Sequence, residues 1–96
     1  MSSTEMPLNI LEKRRKQLKF RSWHRGTKEA DLLLGGFADE TLDSMGLEEL
    51  DLYEDLLTIP DPVLTAWMTG MQDCPAGERN AVMDRLLAFC EKKRQL

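Results

Sequence analysis

A chain of 96 residues and 11.0 kDa, 42% hydrophobic and 31% charged, has room for one core of the size that serves a single small domain. That balance excludes a disordered polar chain, and no run approaches the roughly 20 apolar residues needed to span a bilayer. The net charge of -4 is unevenly spread. Residues 1–28 are strongly basic, residues 29–78 carry acids and no base, and the last 18 residues are basic again. Such segregation lets a basic helix lie against an acidic body, or presents a surface of one sign to a partner.

Residues 1–7 contain no basic segment followed by an apolar run, so they read as a flexible tail rather than a secretory signal, and a bacterial cytoplasm is the expected address. A helical domain is expected over residues 8–94. Leu8, Leu11, Leu18 and the stems of Arg14 and Arg15 outline a first helix from Leu8 to Ser22. A second is expected from Thr27 to Met45, where Ala30, Leu33, Leu34, Phe37, Leu42 and Met45 recur at helical spacing, with Gly46 as its stop. Leu47, Leu50, Tyr53, Leu56 and Leu57 mark a third, whose outward positions are acidic. Asp61-Pro62 reads as the N-cap and first residue of a short fourth helix, with Val63, Leu64, Trp67 and Met68 inward and Gly70 at its end. Val82, Met83, Leu86, Leu87 and Cys90 define a fifth from Glu78 to Arg94. The fold class is all-α, a single-domain bundle of five helices.

Catalytic chemistry finds little support in these residues. His24 stands without a convincingly spaced nucleophile, and no HExxH, GxGxxG or GxxxxGK[ST] pattern occurs. Cys74 and Cys90 fit no zinc or redox spacing and read as reduced thiols, Cys90 on a buried helix face. The carboxylates of residues 39–61 sit at solvent-facing helical positions, so no metal site is expected.

The segment Arg25-Gly26-Thr27-Lys28-Glu29 carries the most information. Gly26 permits a sharp junction between the first two helices. Thr27 or Gly26 caps the second, with Glu29 returning a bond to the cap amide or facing the positive end of the dipole. That logic leaves Arg25 without a structural task, so its removal is expected to spare the fold. An arginine fork at a rigid turn suits bidentate recognition of a carboxylate or phosphate.

With this segment the chain resembles the SdhE-type succinate dehydrogenase assembly factors, whose signature is RGxxE. The resemblance runs on through Asp31-Leu32-Leu33-Leu34-Gly35-Gly36-Phe37, Glu49-Leu50, Tyr53-Glu54-Asp55-Leu56-Leu57 and Asp61-Pro62-Val63-Leu64, with Trp67 and Gly70, over about residues 9–90. It implies a helical chaperone, not an enzyme, that binds the flavoprotein subunit of succinate dehydrogenase, and in some bacteria fumarate reductase, and promotes covalent FAD attachment. In that chemistry a client histidine attacks the flavin methyl carbon, so the FAD is the client's and the factor itself supplies conformation. Arg25, Gly26 and Glu29 match the family's functional motif and are expected at the client interface. Trp23 and Phe20, just ahead of the turn, are expected as anchors there, with packing against the second helix as the alternative. No nucleic acid or inserted membrane is expected as partner, and the free chain is expected to be a monomer. Two rivals use the basic run Lys13, Arg14, Arg15, Lys16, Lys19, Arg21, Arg25 and Lys28: a nucleic-acid binder, and an antitoxin-like or membrane-peripheral regulator. The thirteen acids of the next fifty residues oppose the first, and the lack of a continuous apolar stripe opposes lipid binding.

Overall fold

The computed structural model describes residues 6–95, with side chains from Ile10 onward. Its elements are α1 (Met6–Trp23), α2 (Lys28–Thr41), a 3-10 turn (Leu42–Ser44), α3 (Leu47–Leu56), α4 (Asp61–Met68), a second 3-10 turn (Ala76–Glu78) and α5 (Ala81–Arg94). Five α-helices and no strand occur among the described residues, as the periodicity predicts. The flexible tail expected over residues 1–7 lies outside the described residues as far as Glu5, and Leu8's expected inward place lies outside the described side chains. Met6 and Pro7 are already helical, a place where proline's missing N–H costs nothing.

Three other boundaries differ from expectation, each for a local reason. α2 ends at Thr41 rather than Met45, because the Thr41 hydroxyl donates to the Phe37 carbonyl at 2.6 Å and Ser44 donates to Thr41 at 2.8 Å. Such back-bonding competes with the α-helical ladder and tightens the last turn to 3-10 geometry. Gly46 is therefore the N-cap of α3, its amide donating to Glu49 at 3.4 Å. α5 starts at Ala81, since Asn80 Oδ1 accepts from the amides of Val82 and Met83 at 3.0 and 2.9 Å, a strong N-cap.

One core joins all five helices. Leu18 of α1, Leu34 and Phe37 of α2, Leu50 and Tyr53 of α3, Leu64 and Met68 of α4, and Val82, Leu86 and Cys90 of α5 are buried in it. Each fully buried leucine stabilises the fold by about 1.5 to 3 kcal/mol. Trp67 packs against this core from its edge, whereas Leu47 and Val63, expected on the inward faces of α3 and α4, are exposed. The core's one buried polar pair is Ser22 with Tyr53, the hydroxyls 2.6 Å apart while Ser22 also donates to the Leu18 carbonyl at 2.7 Å. The basic helix does lie against the acidic body. Arg14 reaches Asp51 and Glu54, Lys19 reaches Asp43 and Arg21 reaches Glu54.

Candidate functional site

The turn between α1 and α2 is set by a glycine and closed by an aspartate. Gly26 has φ +117°, a conformation that a side chain disfavours. The Arg25 amide donates to Asp31 Oδ1 at 2.6 Å, and Thr27, the N-cap of α2, accepts from the Ala30 amide at 3.2 Å. Glu29 consequently occupies the second helical position, and the return bond drawn for it from sequence is absent among the described residues. The turn is closed by Asp31 instead. Glu29 is exposed and makes no hydrogen bond or ion pair there.

Arg25 has a structural task that local capping does not reveal. Its Nε donates to Asp61 Oδ1 at 2.8 Å, and Nη2 lies 2.7 Å from the same oxygen. Nη1 donates to the Leu57 carbonyl at 2.6 Å and Nη2 to the Ile59 carbonyl at 3.0 Å. The side chain is only 11% exposed. Its positive charge therefore sits where α3 ends in carbonyls lacking helical partners, while Asp61 sits in the first turn of α4, each at the favourable end of a helix dipole. Asp61 is not the N-cap, which is Pro60; its carboxylate is drawn to the guanidinium. The expectation that removing Arg25 spares the fold is thereby corrected.

The aromatic candidates separate. Trp23 packs over α2, where a Cβ on Gly35 would overlap its indole, and Nε1 donates to Asp39 at 3.3 Å. Phe20 is 64% exposed and stacks on His24 with ring centroids 4.0 Å apart. Phe20, Arg21, His24, Arg25 and Asp61 line one shallow depression of about 230 Å³. Glu29 opens instead onto a groove of about 310 Å³ beside Leu32, Leu33, Met68 and Lys93. The five candidates thus form no single pocket: Phe20 and Arg25 line the depression, and Glu29 lines the groove. Sequence reasoning missed Asp31 and the role of Asp61. Both stand in the resembling series, and Asp61 reads there only as a helix cap.

Neither thiol is activated. Burial pushes Cys90 up to about 11, and it raises Cys74 as well, so both stay protonated at neutral pH. The His24 ring is tied through Nδ1 to the Phe20 carbonyl at 2.7 Å.

The described residues thus form an all-α domain whose α1–α2 turn is braced from within by Asp31 and by the bonds of Arg25. Residues 16–90 match the family described as flavinator of succinate dehydrogenase, and the chain belongs to that family. It is 43% identical over 77 residues to the FAD assembly factor SdhE of Acetobacter pasteurianus, covering 80% of this chain and 71% of that one. Identity to the FAD assembly factor SdhE of Colwellia psychrerythraea is 34% over 87 residues, 91% and 94% of the two chains. It is 38% identical over 89 residues to the mitochondrial succinate dehydrogenase assembly factor 2 of Candida glabrata, covering 88% of this chain and 58% of that one. No described helix is long and apolar enough to cross a membrane.

Proposed function

We propose that this protein is a flavinylation assembly factor that binds the flavoprotein subunit of succinate dehydrogenase, and fumarate reductase where a cell uses one, and promotes covalent attachment of FAD. The carrying observation is the turn itself: Gly26 and Glu29 are exposed, and Arg25 holds the turn from within. Gly26 offers backbone that a client can approach closely, and Glu29 offers a carboxylate with no partner to displace among the described residues. Arg25 acts as a positioning residue that fixes this turn, and Phe20 supplies an exposed aromatic near it.

The FAD belongs to the client. Nothing in this chain has the glycine-rich pattern that cradles a dinucleotide phosphate, and its thiols and histidine are not poised for group transfer. The client's own residues and its flavin supply the reacting atoms, and the factor contributes by holding them in a productive geometry. The internal engagement of Arg14, Arg15, Lys19, Arg21 and Arg25 supports a protein partner over a nucleic acid, since phosphates would compete with bonds already made. The test is affinity capture of the purified apo-flavoprotein subunit, with in-gel flavin fluorescence after FAD is added. Retention with increased covalent flavin is expected; a client neither retained nor flavinylated faster would refute the reading.

A further inference from the structure

α1 carries apolar residues on two sides, and only one side is used by the fold. Leu18 is buried and Leu11 packs against the core, whereas Ile10 and Phe20 are 53% and 64% exposed. Ile10, Lys13, Gln17 and Phe20 follow one another at spacings of three and four, so they form one outward stripe, about 15 Å long at the helical rise. Lys16 flanks it. Lys13 and Lys16 make no ion pair among the described residues, unlike Arg14, Lys19 and Arg21, which the acidic body neutralises. Of the acids beside the stripe, Glu54 already faces Arg14 and Arg21, and Glu12, one turn before Lys16, makes no ion pair among the described residues.

The stripe borders a concavity of about 780 Å³ between α1 and the edge of α3. It is continuous with the motif, because Phe20 and Arg21 also line the depression shared with Arg25 and Asp61. Two exposed apolar side chains flank a pair of uncompensated lysines, and the surface runs into a turn held rigid from behind. We infer that this outward face of α1 docks an acidic segment of the flavoprotein client that presents apolar side chains to Ile10 and Phe20 and carboxylates to Lys13 and Lys16. The inference rests on the proposed function and names the chemistry of a second contact region beside the motif. Apolar anchors at the two ends fix the register, and the lysines between them accelerate encounter with an acidic partner and exclude basic ones.

The experiment measures affinity of the full-length protein for purified apo-flavoprotein subunit at low and moderate salt. It compares wild type, the Lys13→Glu/Lys16→Glu double variant, Ile10→Ser and Glu29→Gln. Circular dichroism verifies folding, which these exposed positions leave intact. The charge reversal is expected to weaken binding about tenfold and to flatten its salt dependence; Ile10→Ser is expected to weaken it about fivefold with the salt slope kept. Wild-type affinity in both variants, alongside loss in Glu29→Gln, would overturn the docking face while sparing the functional reading. A wild-type protein that fails to bind the flavoprotein overturns both. A short DNA duplex, vesicles of anionic phospholipid and sedimentation of the protein alone complete the series. Binding to either probe, or self-association, that the charge reversal removes while client affinity is unchanged would reassign the face and overturn the inference.

Discussion

Arg25 and Asp61, 36 residues apart in the chain, meet at 2.7 Å and join the end of α3 to the start of α4 from beneath the turn that leads into α2. Two helix termini, the end of α3 and the start of α4, thus depend on one guanidinium. Removing it leaves Asp61 without its cation and the carbonyls of Leu57 and Ile59 without their donor. Arg25→Ala is expected to cost about 2 to 4 kcal/mol in urea unfolding, toward the lower end of what a broken buried pair costs because the site is partly wet. Arg25→Lys recovers only part, lacking the planar fork. An Arg25→Ala protein as stable as wild type would show that the clamp contributes nothing.

Gly26→Ala separates backbone from space. A Cβ there would lie 3.7 Å from Asp61 Oδ2, an ordinary contact, but at φ +117°. The expected loss is about 1 to 2 kcal/mol, arising from the backbone alone. Thermal melting reads it, and an unchanged melt would mean the turn tolerates a different conformation.

Glu29→Gln should behave in the opposite way. The side chain has no partner to lose among the described residues, so stability should stay within about 0.5 kcal/mol, the scale of one charge at a helix N-terminus. Affinity for the flavoprotein is expected to fall about tenfold. Equal affinity would confine Glu29 to favouring the dipole of α2.

Gly35 is the second glycine the fold depends on, because Trp23 lies directly on it. Gly35→Ala forces the indole off α2 and is expected to cost about 2 kcal/mol or more by overpacking. Near-ultraviolet circular dichroism reports the displaced tryptophan, and an unaltered spectrum with an unaltered melt would contradict the contact.

Tyr53 is the chain's one tyrosine, so tyrosinate absorbance reports it without interference. Burial pushes its hydroxyl from 10.0 up to about 12. Below pH 10 the folded and unfolded chains both hold this proton and the contribution to stability is complete. Between about 10 and 12 the unfolded chain releases it first, so stability falls as pH rises. Cys90, raised from 9.0 to about 11, acts with the same sign from a lower starting pH. Alkaline titration should show tyrosinate appearing near pH 12 or together with unfolding. A midpoint near 10 in a still-folded protein would contradict the burial of this hydroxyl.

The helices were legible from sequence because their apolar spacing is local: Leu34, Phe37, Leu50, Tyr53, Val82 and Leu86 all turn inward as their periods require. Helix ends were less so. Thr41, Ser44 and Asn80 decide them through single side-chain bonds that spacing does not rank. The turn motif was visible, and Gly26 has the conformation expected of a sharp junction. The work of Arg25 was not visible, since its partners lie 32 to 36 residues away on another pair of helices. A distant acid acquires meaning only once the fold brings it within reach. Trp23 was legible only as two alternatives, interface anchor or packing on the second helix, because what decides between them is the absence of a side chain at Gly35.

We propose that this protein accelerates flavin attachment by holding its client, with no reacting group of its own. The direct measurement is the rate of covalent FAD incorporation into purified apo-flavoprotein subunit, with wild type, Glu29→Gln, and folded His24→Ala, Cys74→Ser and Cys90→Ser variants at matched concentration. Wild type should raise the rate, Glu29→Gln should lose the effect in step with lost binding, and the other three should match wild type once folding is verified. A folded His24→Ala or cysteine variant that binds the client yet no longer promotes incorporation would contradict the account, as would a wild-type protein that binds without raising the rate.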